Sequence, residues 1–148
     1  MVKYILNLKT IKEANVKSYA FALQKGGTGK TSISVSLAVE LASKGKKVVY
    51  IDCDPQGNSS SWLLNSFEHE LADILYEKAQ VLECVYKSDV ENLYVIPTFG
   101  VGGELKAWTK KETYPFIFQK NILPQLQEHF DYCIFDTSPA FDEFEKSV

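Results

Sequence analysis

Three short segments of the sequence carry side chains that could bind a phosphate group and act on it. The first, Lys25-Gly26-Gly27-Thr28-Gly29-Lys30-Thr31-Ser32, lies between a predicted strand and a predicted helix. Its glycines allow a tight turn whose N–H groups approach an anion, and the helix that follows adds its own free N–H groups. Lys30 would reach the β- and γ-phosphates of a nucleotide, and the Thr31 hydroxyl would bind Mg²⁺. This order of strand, glycine-rich loop and helix predicts a phosphate-binding loop.

The other two segments place carboxylates at the ends of predicted strands. Asp52 and Asp54 belong to Asp52-Cys53-Asp54-Pro55-Gln56-Gly57-Asn58, and Asp136 ends an apolar run that begins at residue 132. Carboxylates at the carboxyl ends of strands face the crevice in which α/β sheets bind ligands. There they can hold Mg²⁺, usually through water, or orient an attacking water. Each segment taken alone could also be a plain turn. Together with Thr31, we expect Asp52 and Asp136 to serve the metal.

The elements that must position these residues alternate along the chain. Apolar and β-branched runs predict strands over 18–24, 47–52, 92–97 and 131–136. Helical spacing predicts a helix over 31–44 that ends at Gly45, and further helices over 59–67 and 70–87. A partly helical stretch over 102–129 is interrupted by Pro115 and Pro124. Alternating strands and helices predict an α/β fold, with a mostly parallel sheet and flanking helices.

Composition, charge and cysteine content limit the classes of protein to which the chain could belong. The chain has 148 residues, 45% of them apolar and 24% charged, which suits a single compact domain over 1–148 with an N-terminal extension at 1–17. No apolar run approaches the ~20 residues of a membrane helix, so we expect no membrane association. Three cysteines without metal-type spacing indicate reduced thiols and a cytoplasmic setting. A net charge of −3 argues against a surface given over entirely to nucleic acid, and leaves room for a local basic patch.

The three segments also resemble the motifs of one family. Residues 24–31 resemble the deviant Walker A loop of the ParA/MinD superfamily, in which the position of Lys25 holds a "signature" lysine and the position of Thr28 is more often Val. Residues 52–58 match the pattern D-x-D-P-Q-G-N, a form typical of ParA/Soj-type partition ATPases. Residues 132–139 resemble the Walker B strand, with Ser138 in place of the usual proline. The resemblance implies a P-loop NTPase-like fold that binds ATP and Mg²⁺. It also implies nucleotide contacts from residues 25–32 and catalytic roles for Lys25, Lys30 and Asp54, of which Asp54 orients the attacking water.

The resemblance also implies partners. ParA-like proteins form ATP-dependent homodimers, in which the signature lysine reaches the phosphates of the other subunit, and they respond to a protein activator. DNA binding, and a role in plasmid or chromosome partition, are implied in the same way. Two alternatives stay open: a non-catalytic, nucleotide-dependent interaction module, and a MinD-like positioning ATPase. The MinD-like alternative is the weaker, because residues 130–148 show no basic amphipathic pattern for a membrane surface.

The resemblance covers residues 18–140 and stops early. Family members usually continue with further strands and helices beyond the Walker B strand. We therefore expect a form truncated after that strand, in which the strand over 18–24 is an open edge that residues 4–8 or a partner chain would cover.

Overall fold

One five-stranded sheet organises the chain. The computed structural model describes residues 16–22, 27–109, 116–139 and 148. The strands are β1 (Lys17–Phe21), β2 (Val48–Cys53), β3 (Tyr86–Lys87), β4 (Leu93–Ile96) and β5 (Tyr132–Thr137), and they lie in the order β1-β5-β2-β4-β3. The four strands β1, β5, β2 and β4 run parallel to one another, and the edge strand β3 is antiparallel to β4. The predicted α/β fold with a mostly parallel sheet is confirmed.

The central strand β2 separates two buried layers. All six of its residues are buried, as expected for a strand covered on both faces. Val48 and Tyr50 point to the face covered by helix α1 (Lys30–Ser43), whereas Val49 and Ile51 point to the opposite face. The helices of that opposite face are short. They are α3 (Leu71–Leu75), a 3₁₀ helix (Val81–Cys84), α4 (Leu105–Trp108), a π-helix (Phe118–Ile122) and α5 (Leu123–Leu126).

Helix α1 follows its prediction closely. It ends at Ser43 and is closed by two backbone hydrogen bonds, from Gly45 N–H to the Ala42 oxygen at 2.9 Å and from the next residue to the Leu41 oxygen at 3.2 Å. This pattern is the Schellman motif, which a glycine at this position favours. The predicted helix end at Gly45 is therefore confirmed.

Two other helix predictions are wrong in extent. The helix predicted over 59–67 is α2 (Asn58–Leu63), and the backbone is already extended at Leu64. The helix predicted over 70–87 stops at Leu75, because Glu77 takes a left-handed conformation with φ of +58° that ends the helical run. The rest of that segment forms the 3₁₀ helix and the edge strand β3.

The remaining predictions concern the edges of the sheet and the prolines. Pro124 does not interrupt the helical run, since the π-helix passes directly into α5 and Pro124 lies one residue after that junction. Among the described residues β1 pairs only with β5, so it is the predicted edge strand. The segment over 4–8 and Pro115 lie outside the described residues. No helix in the described part of the chain is long and apolar enough to cross a membrane.

Candidate nucleotide-binding site

A cavity of about 340 Å³ opens at the carboxyl ends of the parallel strands. Its lining residues are Gly27, Thr28, Gly29, Lys30, Thr31, Ser32, Asp54, Gln56, Asn58, Trp62 and Pro139. The structure thus brings the predicted phosphate-binding loop and the predicted water-orienting Asp54 to one space. Lys25 and Gly26, also predicted for this site, lie outside the described residues.

The loop reaches the helix through a left-handed turn. Gly29 has φ of +78° and precedes the first residue of α1, and an added Cβ there would meet no atom within 4 Å. The space beside this backbone is therefore open to a ligand. The first-turn N–H groups of α1 lack partners within the helix, and the residues that carry them line the cavity wall. Such an arrangement stabilises an anion through both hydrogen bonds and the helix dipole.

Lys30 is folded against the end of β5. Its Nζ lies 3.6 Å from Asp136 Oδ1 and also donates a hydrogen bond to the Thr137 carbonyl oxygen. The Lys30 side chain is 8% exposed and that of Asp136 is 1% exposed, so this ion pair is shielded from water. Burial raises the pKa of Asp136, while the Thr31 hydroxyl and the Lys30 charge oppose that rise. Lys30 therefore lines the cavity and contacts the buried acid at its edge.

The geometry of Asp136 fits Mg²⁺. Both of its carboxylate oxygens are buried, and neither accepts a hydrogen bond from the described residues. A buried carboxylate without hydrogen-bond donors is costly unless a cation or bound water satisfies it. Nowhere among the described residues do three His, Cys, Asp or Glu side chains gather as a metal cage. Mg²⁺ commonly uses one or two protein oxygens together with phosphate and water, and the Thr31 hydroxyl lies beside the Asp136 carboxylate.

Asp52 is satisfied by the protein itself. Its Oδ2 accepts hydrogen bonds from the N–H and the hydroxyl of Ser60, at 2.9 and 2.6 Å, and its Oδ1 accepts one from the Asp54 N–H at 3.1 Å. Burial nevertheless raises its pKa to about 6, against these hydrogen bonds. The metal role expected for Asp52 stays a prediction, but its contacts favour holding the turn that carries Asp54.

That turn is locked from two sides. Asp54 accepts a hydrogen bond from the Gln56 N–H on its side chain and one from the Gly57 N–H on its backbone, both at 2.9 Å. Gly57 packs directly on the loop after β4, because a Cβ added to it would lie 2.6 Å from the Thr98 oxygen. Ser60 joins the same loop by accepting a hydrogen bond from the Thr98 N–H at 2.8 Å. The position of Asp54 therefore depends on a loop more than 40 residues away in sequence.

Sequence reasoning missed part of the cavity wall. Gln56 and Asn58 lie within the acidic motif but were not expected at the site, and nothing in the sequence singles out Pro139. Trp62, which the sequence analysis did not assign to the site, is 60% exposed and lines the cavity. Its place in the first turns after that motif is the signal that could have found it. Trp108, by contrast, packs in the core.

The fold and the cavity define a P-loop nucleotide-binding domain. Residues 16–147 match the family model described as an AAA domain, and the chain belongs to that family, among relatives of the ParA/MinD type. The sporulation initiation inhibitor protein Soj of Bacillus subtilis is 38% identical over 131 residues, which cover 84% of this chain and 50% of that protein.

Solved structures agree with this placement. A plasmid partition protein from Borrelia burgdorferi superposes with a TM-score of 0.77 at 26% identity, over 89% of this chain and 61% of that one. The septum site-determining protein MinD from Pyrococcus horikoshii, complexed with Mg-ADP, gives a TM-score of 0.73 at 25% identity, over 88% and 53% of the two chains. The chain spans about half the length of the curated relatives it matches.

Proposed function

We propose that this chain binds ATP with Mg²⁺ and hydrolyses it as a ParA-like partition or positioning ATPase. The observation that carries the proposal is the single cavity in which the phosphate-binding loop, Asp54 and the end of β5 meet. Membership of the family and the nucleotide-bound MinD neighbour support it. Relatives of the partition and the positioning type both resemble the chain, so the cargo is left open.

Each residue then has a distinct role. Lys30 and the N–H groups of the loop stabilise negative charge on the phosphoryl group, which is the main protein contribution in reactions of this kind. Thr31 and Asp136 hold Mg²⁺, which supplies charge neutralisation at the phosphates. Asp54, anchored by its own turn, orients the attacking water. Lys25 would act on the phosphates of a second subunit, as the family resemblance implies.

The partners are part of the same proposal. We expect an ATP-dependent homodimer, a protein activator and binding of DNA, each by analogy with partition ATPases rather than from a contact in this structure. A cytoplasmic location fits three buried cysteines that are not joined by disulfides. Isolated switch ATPases turn over slowly until a partner completes the site, so we expect a low basal rate.

Nucleotide binding is the first test. Addition of ATP and Mg²⁺ should change the tryptophan fluorescence of the chain, because Trp62 lines the cavity, and Trp62→Phe should remove most of that signal. Lys30→Ala should abolish binding, whereas Lys44→Ala, which alters an exposed lysine directly after the same helix, should leave it intact. Circular dichroism confirms that each variant is folded. A folded wild-type chain that binds no nucleotide would contradict the proposal for this chain.

Hydrolysis is tested separately. Asp54→Ala should keep nucleotide binding and lose phosphate release, while the exposed Asp89→Ala should behave like the wild type. Normal hydrolysis by Asp54→Ala would show that its assigned role is wrong. Nucleotide-dependent dimerisation without any phosphate release in the wild type would favour the non-catalytic interaction module.

A further inference from the structure

A buried tyrosine contacts the helix that follows the phosphate-binding loop. Tyr50 is fully buried in β2, and its hydroxyl lies 2.8 Å from Ser34 Oγ of α1. Ser34 in turn donates to the backbone oxygen of Thr31 at 2.9 Å. Because Ser34 has a single proton to donate, Tyr50 is the donor in the pair that the two hydroxyls form. Packing in the core requires only an apolar side chain at this position, so packing does not account for the Tyr50 hydroxyl.

The register of the sheet brings this hydroxyl towards Asp136. Asp52 pairs with Asp136 across β2 and β5, and Tyr50 pairs with Ile134, so Tyr50 is a diagonal neighbour of Asp136 on the same face. Helix α1 contacts both, since Lys30 reaches Asp136 and Ser34, one turn later, reaches Tyr50. The two groups also affect each other: the Asp136 charge adds to the burial that raises the pKa of Tyr50, and the Tyr50 hydroxyl opposes the rise in the pKa of Asp136.

The Asp136 carboxylate would need another hydrogen-bond donor once Lys30 turns from it to a bound phosphate. Among the described residues Lys30 forms the ion pair with Asp136, at 3.6 Å. Neither carboxylate oxygen accepts a hydrogen bond of ordinary geometry, although the hydroxyls of Thr31 and Tyr50 lie close enough to lower the Asp136 pKa. Once Lys30 turns to a bound phosphate, the buried carboxylate loses that cation. Mg²⁺ and its water can satisfy the oxygen that faces the cavity, but the carboxylate also needs a donor from the protein side to hold its orientation. Tyr50 is the neutral donor on that side.

We propose that Tyr50 is a positioning residue of the Mg²⁺ site, whose hydroxyl turns from Ser34 to Asp136 when Lys30 moves to the phosphates. The Tyr50 hydroxyl lies close enough to lower the pKa of Asp136, but it makes no hydrogen bond of ordinary geometry there, so the two side chains must shift together slightly as the O–H bond rotates. The inference rests on the proposed function, because it presupposes that nucleotide and Mg²⁺ bind in this cavity. It predicts that the tyrosine hydroxyl affects metal affinity and leaves metal-free nucleotide affinity alone.

The test is a Mg²⁺ titration of nucleotide binding. Fluorescent mant-ADP is bound to the 148-residue chain, first in EDTA and then at rising Mg²⁺. Tyr50→Phe keeps the ring and removes the hydroxyl, so the Mg²⁺ midpoint should rise about tenfold, the size expected for one hydrogen bond to a charged group. The affinity for mant-ADP in EDTA should stay at the wild-type value. Tyr94→Phe, which alters a tyrosine packed on Phe130 away from the site, should change neither quantity.

Ser34→Ala separates the two partners of Tyr50. It removes the group that competes for the tyrosine proton, so the Mg²⁺ midpoint should stay at the wild-type value or fall. A Ser34→Ala variant with the raised midpoint of Tyr50→Phe would overturn the inference, since Tyr50 would then act through α1. This arm also decides the matter if circular dichroism shows that Tyr50→Phe is unfolded.

Two more results would count against the inference. An unchanged midpoint in a folded Tyr50→Phe would refute it while leaving the proposed function in place, as would an equal loss of affinity with and without Mg²⁺. A wild-type chain that binds no mant-ADP at any Mg²⁺ concentration would overturn the proposed function and this inference together.

Discussion

Ser60 joins the acidic turn to the loop after β4, and its hydroxyl can be removed without altering the backbone. It is 1% exposed, donates to Asp52 Oδ2 at 2.6 Å and accepts from the Thr98 N–H at 2.8 Å. Ser60→Ala deletes both hydrogen bonds at once. The Ser60 N–H still reaches Asp52, so one donor to that oxygen remains.

The cost follows from what is left unpaired. A hydrogen bond to a charged group contributes about 1.5–3 kcal/mol, and a buried N–H without a partner costs about 1–3 kcal/mol. Because the two losses share one site and relax together, we expect the free energy of unfolding to fall by about 3 kcal/mol near pH 7.5. Urea unfolding followed by circular dichroism measures this value. Ser61→Ala is the matched control: its hydroxyl is exposed and bonds only to the Asn58 oxygen of its own helix, so its loss should stay within about 0.5 kcal/mol.

The pH dependence tests the cause of this loss. Burial raises the pKa of Asp52 from 3.8 to about 6, and the Ser60 hydroxyl opposes that rise, so Ser60→Ala should raise it further. An acid whose pKa is higher in the folded state destabilises the fold fully above the folded pKa, and this penalty declines as the pH falls towards the unfolded pKa. The extra penalty in Ser60→Ala, which comes from a further rise of the folded pKa, is lost once the pH is below the wild-type value of about 6. The deficit of Ser60→Ala should therefore shrink between about pH 7.5 and about pH 5. A deficit no larger than that of Ser61→Ala, or one that grows as the pH falls, would refute this reasoning.

Two further predictions concern packing and thiol chemistry. Gly57→Ala should lower the free energy of unfolding by about 3 kcal/mol, because the added Cβ would lie 2.6 Å from the Thr98 oxygen and the φ of +63° adds strain. Gly45→Ala, which has a similar φ but open space around it, should lower it by about 1 kcal/mol. Thermal unfolding of both variants checks these values. Burial raises the pKa of the Cys84 thiol to about 12 and that of the Cys133 thiol well above its usual value. Ellman's reagent at about pH 8 should therefore label almost no thiol in the folded chain and all three in denaturant. Rapid labelling without denaturant would contradict the buried placement of the cysteines.

The parts of the fold that the sequence predicted are those that depend on local pattern. Buried strands such as Val48–Cys53 are continuous apolar runs, and α1 shows helical spacing with a glycine at its end. The helix over 70–87 could not be delimited in this way. Its end depends on a left-handed Glu77, and its last residues pair as β3 with β4, a contact that no local pattern indicates.

The residues that hold the site in place were also not predicted, because their contacts lie far apart in the sequence. Glu70 is 2% exposed and accepts hydrogen bonds from the Phe99 N–H at 2.7 Å and the Glu104 N–H at 3.0 Å. It thereby holds the loop on which Gly57 packs. An acid in this role looks like any surface glutamate in the sequence, because its partners are about 30 residues away.

Two buried acids at neighbouring strand ends could not be distinguished from the sequence, but their contacts distinguish them. By residue type and position, Asp52 and Asp136 are equivalent candidates for Mg²⁺, and they even pair in register across β2 and β5. Their surroundings differ. The protein gives Asp52 three hydrogen bonds of 2.6–3.1 Å. Neither oxygen of Asp136 accepts a hydrogen bond of ordinary geometry from the described residues, although the Lys30 charge and the hydroxyls of Thr31 and Tyr50 lie close to it. Since a buried carboxylate must be satisfied, an acid that the fold leaves unsatisfied is the one available to a ligand. Asp136 is therefore the stronger candidate for the metal, and Asp52 for the support of Asp54.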